Sequence, residues 1–132
     1  MDVLIDARFL QPQLSGIDRY IRNLLRGLAR LESPLEVAAL APPGVDLSAD
    51  VPRNGPIELI EAGGNPRRPA DQIAILPLLH RLRPRLLHSM DSFAPLAADC
   101  PVAITIYDLI PIEFRHMLPA SRKARLWRLW KA

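Results

Sequence analysis

One cysteine, Cys100, stands in 132 residues. No disulfide can close within such a chain, and a reducing, cytoplasmic setting is expected. A lone thiol is more often inert than nucleophilic, because reactive cysteines need an electropositive environment. Long apolar runs are missing too: the longest, Ile73 to Leu79, contains Pro77 and is far shorter than the roughly 20 residues a bilayer span requires. The early apolar segment carries Asp2, Asp6 and Arg8, so no secretory leader is read there. Neither G-x-G-x-x-G nor G-x-x-x-x-G-K-[ST] occurs, which removes the ordinary dinucleotide and triphosphate fingerprints. His80 and His116 have no partner at metal-ligand spacing, so no metal and no cofactor are expected. Internal repeats and low-complexity tracts are absent as well.

What is present describes one soluble domain. The 14.8 kDa chain is 49% hydrophobic and 23% charged, enough for a single hydrophobic core and too short for two. Its 14 prolines imply many loops and helix starts. The formal charge of +3 hides an asymmetry: six of the 17 basic residues and none of the 14 acidic ones lie between Arg115 and Ala132, leaving a slightly acidic body. Nucleic acid is not an expected partner, since that basic tail has no base-reading motif.

The order of segments predicts an α/β fold. Asp2-Val-Leu-Ile-Asp-Ala7 reads as a buried first strand. Ile17, Tyr20, Ile21, Leu24, Leu25, Leu28 and Leu31 then recur at helical spacing, opposite Arg19, Arg22, Asn23, Arg26 and Arg30, up to Ser33-Pro34. Ser15-Gly-Ile-Asp18 has the form of a capping box, Ser15 accepting from the Asp18 N–H while the Asp18 carboxylate reaches back to the Ser15 N–H. Strands are read at Glu36–Ala41, Ile57–Ile60, Arg85–Ser89 and Val102–Tyr107, the last apolar enough to be buried on both faces. A second helix spans Asp71 to Leu82, with Pro77 forcing a kink or two short pieces. Strands alternating with helices imply a Rossmann-like open parallel sheet with helices on both faces.

In such a sheet ligands bind beyond the carboxyl ends of the strands, near the reversal of strand order. That rule selects Ala7, Arg8 and the Gly16 turn after strand one, then His88, Ser89 and Asp91 after strand four, and Tyr107, Asp108 and Pro111 after strand five. Together they would line a polar cleft for hydroxyl-rich or phosphorylated ligands. The bland alternatives are a rim histidine at His88 and a turn-capping carboxylate at Asp108. The last segment, 119–132, reads as a basic amphipathic helix. Its Trp127 and Trp130 would pack on the domain's own sheet, on another domain or on an anionic membrane surface.

Four stretches in register resemble the N-terminal domain of family 4 glycosyltransferases, from Met1 to about Pro111. They are Val3-Leu-Ile-Asp-Ala-Arg-Phe9, Ser15-Gly-Ile-Asp-Arg-Tyr20 with Asn23-Leu-Leu25, Arg83-Pro-Arg-Leu-Leu-His-Ser89, and Thr105-Ile-Tyr-Asp-Leu-Ile-Pro111. The resemblance implies one half of a GT-B fold: an acceptor-side domain facing a second domain that holds a nucleotide-sugar and carries paired glutamates eight positions apart. Glu32, Glu36, Glu58, Glu61 and Glu113 form no such pair, so the donor half is expected elsewhere and this chain alone is expected to be inactive. Transfer would run from a nucleotide-sugar to a saccharide or lipid-linked hydroxyl acceptor, with retention.

By the same resemblance Gly16 belongs to a ligand-approaching turn, Asp18 stands where a second glycine is usual, and Tyr107 stands where a histidine lies near the transferred sugar. Tyr107 and Asp108 are thus the catalytic candidates, and Arg8, Gly16, Asp18, Arg19, His88 and Ser89 the substrate-binding ones. Residues 1–132 are read as a single acceptor-side domain, cytoplasmic or held at the inner face of the membrane through 119–132. The alternative is a non-catalytic Rossmann-like module for binding or homodimerisation.

Overall fold

The structure is a computed structural model describing residues 1–11, 15–32, 34–109 and Glu113. The segment 119–132, with its expected amphipathic helix, lies outside the described residues, as does Pro111.

Five parallel strands form one sheet: β1 (Val3–Asp6), β2 (Val37–Ala41), β3 (Ile57–Glu61), β4 (Leu86–Ser89) and β5 (Val102–Ile104), in the order β3-β2-β1-β4-β5. The chain moves outward from β1 through β2 to β3, then crosses back to β4 on the other side of β1. Strand order therefore reverses between β1 and β4. Register runs Val3 with Val37 and Leu86, and Asp6 with Leu40 and Ser89, so the carboxyl ends of the three central strands finish level.

Helices cover both faces, as expected of a Rossmann-like α/β fold. On one side α1 (Gly16–Leu28) sets Ile21 and Leu25 against Ile5, Ala39 and Ile57. On the other, α2 (Pro69–Ala74) and α3 (Leu76–Leu82) bring Ile75 and Leu79 against Leu4, Ala38, Leu40 and Leu87. Successive residues of β1 and β2 are buried on opposite faces, which is why these strands read as continuous apolar runs. Pro77 divides the second helical stretch in two; it sits in the first turn of α3, where its missing N–H costs nothing.

Two expectations are corrected. The first helix stops at Leu28 instead of running to Ser33: Arg30 and Leu31 bond back three residues, to the Gly27 and Leu28 carbonyls at 3.1 Å, tightening the last turn and leaving Leu31 exposed. The fifth strand, expected to be buried on both faces and to reach Tyr107, is three residues long. It pairs among the described residues with β4, and Val102 and Ile104 are exposed. Its β-branched sequence records strand geometry, not burial.

The connection between β2 and β3 is held to α1 by charge. Asp50, 2% exposed at its side chain, accepts from Arg22 and from Arg26, each at 2.6 Å, and Arg22 also donates to the Asp46 carbonyl at 3.1 Å. The arginines stand one turn apart on α1, so one carboxylate meets both. Among the described residues no helix is long and apolar enough to cross a membrane.

Asp50→Ala removes the shared acceptor while the arginines keep partial access to water. The expected loss is about 1 to 3 kcal/mol of unfolding free energy, read as a lower urea midpoint at unchanged slope. A midpoint equal to wild type would mean that apolar packing alone holds this connection.

Candidate functional site

The carboxyl ends of β1 and β4 flank the reversal of strand order, and four connections converge there. The first leaves β1 through Asp6, Ala7 and Arg8. Arg8 turns back on the strand it follows: Nε donates to Asp6 Oδ1 at 2.9 Å and one terminal nitrogen to Oδ2 at 2.8 Å, with both side chains 1% exposed. The other terminal nitrogen donates to the Gly63 carbonyl at 3.2 Å, in the loop after β3. Next to it Gly64 has φ of +94°, and a Cβ there would lie 3.2 Å from the Asp71 side chain and 3.4 Å from Arg8, so both conformation and space require glycine.

The same connection, from β1, then enters α1. Ser15 caps the helix, accepting from the Asp18 N–H at 3.3 Å, while the Asp18 carboxylate accepts from the Ser15 N–H at 2.9 Å, from the Ser15 hydroxyl and from the Gln11 N–H at 2.7 Å. The capping box read from the sequence is therefore present, and Asp18 extends it to the end of the β1 loop. Asp18 is 1% exposed. Burial alone would raise its pKa, but the Ser15 hydroxyl and the Gln11 and Ser15 amides outweigh it and hold the carboxyl below its ordinary value. A methyl group added to Gly16 would meet nothing within 4 Å, so this position opens outward.

From the β3–α2 loop comes Arg67. Its guanidinium donates twice to Asp91 Oδ2, at 3.1 and 2.6 Å, and lies 5.6 Å from the centroid of the Phe9 ring. Asp91 Oδ1 accepts from the Ser92 N–H at 2.6 Å and the Ser92 hydroxyl at 3.1 Å. The fourth connection follows β5. Tyr107 donates its hydroxyl to the Met90 carbonyl at 2.8 Å and meets Tyr20 of α1 edge-on, centroids 5.4 Å apart and planes at 88°. Burial pushes the Tyr107 hydroxyl up to about 12, with Tyr20, Asp91 and Asp18 adding to the rise and Arg67 opposing it.

The sequence candidates thus divide. Gly16, Asp18 and Tyr107 come together around the α1 entrance. His88 sits between β1 and β5, in register with Ile5 and Ala103, with Nε2 3.0 Å from Thr105 Oγ1. Burial lowers its pKa and favours the neutral ring. Ser89 is buried and donates to the Phe93 carbonyl at 2.5 Å. Arg19 and Asp108 are exposed. Arg8 is buried, engaged by Asp6 and Gly63. Cys100 is half-buried, and burial raises its thiol pKa. Among the described residues no three of His, Cys, Asp and Glu are grouped as for a metal ion.

Tyr20 and Arg67 were not read from the sequence as site residues. Tyr20 fits the apolar stripe of α1, yet it is 41% exposed. Arg67 follows β3, so the strand-end rule that selected residues after β1, β4 and β5 would have found it. A separate open groove of about 880 Å³ lies near the amino ends of β2 and β3, lined in part by Glu36, Val37, Arg53, Ile57 and Glu58. It is remote from the reversal of strand order where sheets of this kind hold ligands.

Comparison with known proteins gives one finding: the family model for Glycosyltransferase Family 4 matches residues 14–132. No curated protein and no solved structure matched the chain.

Asp18 generates a pH-dependent expectation. Its folded pKa is depressed, so the stability it confers is complete above the ordinary carboxylate value of 3.8 and is lost as pH falls below that through the folded value. Asp18→Asn should cost about 1 kcal/mol at pH 7, and the gap to wild type should close in thermal melts taken progressively below pH 3.8. A gap that stays constant with pH would assign the effect to shape and not to charge.

Proposed function

The chain belongs to Glycosyltransferase Family 4, and we propose that it supplies the acceptor side of a sugar transfer from a nucleotide-sugar to a hydroxyl. The observation that carries this reading is the grouping, at the β1–β4 reversal, of the half-exposed Tyr20 and Tyr107 rings beside the fixed Arg67–Asp91 pair. Such a grouping suits a neutral, hydroxyl-rich ligand better than a nucleotide diphosphate, because the Arg67–Asp91 pair is neutral as a whole and Asp18 adds a negative charge beside it.

In the reaction an acceptor oxygen bonds to the anomeric carbon as the bond from that carbon to the diphosphate breaks. The charge developing on the diphosphate needs preorganised donors. Acidic groups at the α1 entrance are poor at that task, so those donors are assigned to a second, donor-binding domain. The role left to this half is positioning: holding the acceptor oxygen on the face of the anomeric carbon that the diphosphate leaves is worth several orders of magnitude in rate. Tyr107 contributes its ring to that grouping, since its hydroxyl is engaged by the Met90 carbonyl and stays protonated at neutral pH. The outward-opening Gly16 is where the donor's phosphates approach most closely.

Purified alone and given UDP- or GDP-sugars with a saccharide acceptor, the chain should release no nucleoside diphosphate above background. Fused to a donor-binding domain of the same family it should turn over, and there Gly16→Ala should lower kcat/KM about tenfold without lowering the melting temperature. Sustained turnover by the chain alone would overturn the division of labour. An unaffected Gly16→Ala fusion would remove the phosphate approach from this turn.

A further inference from the structure

We propose that Tyr20 and Tyr107, with the Arg67–Asp91 pair beside them, form a preformed subsite for one pyranose ring of the acceptor. The inference rests on the acceptor-side reading and names the ligand class and the residues that would take it.

Tyr20 and Tyr107 are 41% and 39% exposed, and they meet at 88°. Aromatic rings left half in water need a ligand or a cover. The Tyr107 ring cannot swing away freely, because its hydroxyl is tied to the Met90 carbonyl at 2.8 Å. Tyr20 is fixed through α1, whose first turn Asp18 locks. The corner is therefore built before any ligand arrives, and little ordering cost attaches to binding.

The neighbouring charges decide what the corner takes. Arg67, its side chain 40% exposed, keeps terminal N–H groups free to donate to sugar hydroxyls, while Asp91, already accepting two bonds from Arg67 and two from Ser92, holds it in place. Arg67 keeps its plane because the Phe9 ring lies against it and Asp91 holds two of its nitrogens. The Tyr107 hydroxyl bonds the carbonyl of Met90, the residue before Asp91, which puts the pair at the same corner. A nucleobase would also stack on such rings, but its phosphates would then face Asp18. A pyranose has an apolar C–H face for the ring and equatorial hydroxyls for Arg67, without that repulsion.

The test is an amide chemical-shift titration of the full chain with methyl α-D-glucopyranoside, methyl α-D-mannopyranoside, methyl β-D-galactopyranoside and maltose, with UDP as the anionic comparison. At least one saccharide should shift Tyr20, Arg67, Asp91 and Tyr107 together at millimolar concentration. Tyr20→Ala should weaken that binding about fivefold or more, and Tyr107→Phe, which keeps the ring, should stay within about twofold. Dispersed amide spectra of both variants establish that they fold. Saccharide shifts confined to other carboxyl-end residues, such as His88 and Gly16, would overturn the subsite while leaving the acceptor-side reading intact. Shifts at the corner with UDP alone, or no saccharide response anywhere along the carboxyl ends, would overturn both.

Discussion

The Asp6–Arg8 ion pair is the constraint on which the carboxyl-end architecture depends. Two charges with side chains 1% exposed carry a desolvation cost of several kcal/mol each, offset only by close, multiply hydrogen-bonded geometry. That geometry is present: both carboxylate oxygens accept from the guanidinium, and the Arg8 amide adds a third bond at 3.2 Å. The remaining guanidinium nitrogen is satisfied by a carbonyl 55 residues away, that of Gly63. A pair this dry tolerates few alternative arrangements. It therefore fixes the exit of β1 and the loop after β3 relative to each other, and from that loop Arg67 reaches Phe9 and Asp91. The Arg67 side of the site is in this sense suspended from a buried ion pair.

A second anchor, Asp18, acts on the other side of the same exit. Its carboxylate joins the end of the β1 loop at Gln11 to the helix start at Ser15. In the sequence pattern this chain resembles, a second glycine is usual at that position. Here the side chain uses the local amides itself. The consequence is a stiffer and more acidic α1 entrance, which on the proposed acceptor-side reading favours neutral hydroxyls over phosphate.

Much of the fold was legible in the sequence because its signals are local. Ser15 and Asp18 are three residues apart, α1 repeats its apolar residues every three or four, and Pro77 interrupts a helix wherever it stands. The parallel strands announced themselves as apolar runs since β1 and β2 are buried on both faces. The same logic misled at β5, where Val102 and Ile104 are as β-branched as any core residue but stand beside β4 at the sheet margin. The site was harder to read, because its contacts join distant positions. Arg67 and Asp91 are 24 residues apart, and Tyr107 meets Tyr20 from near the other end of the described chain. Arg8 shows the opposite difficulty. A charged residue just past a strand looks like a ligand group, and only the carboxylate two residues before it explains why it is buried.

The chemical character of Tyr107 follows from the same placement. A phenol at the carboxyl end of a sheet could serve as an acid or a base, but proton transfer is efficient only when the group's pKa lies near the working pH. Burial moves Tyr107 away from that range, to about 12, and the Met90 carbonyl takes its proton as a hydrogen bond. His88, whose ordinary pKa of 6.5 does lie near neutrality, is shifted downward by burial, and its Nε2 pairs with Thr105. Both side chains are thereby turned from proton carriers into fixed walls. A transfer in which the acceptor oxygen replaces a diphosphate asks for such walls more than for a strong base, since the departing oxygens are themselves competent to take the hydroxyl proton. On the proposed acceptor-side reading, this half of the site supplies orientation and not acid–base catalysis.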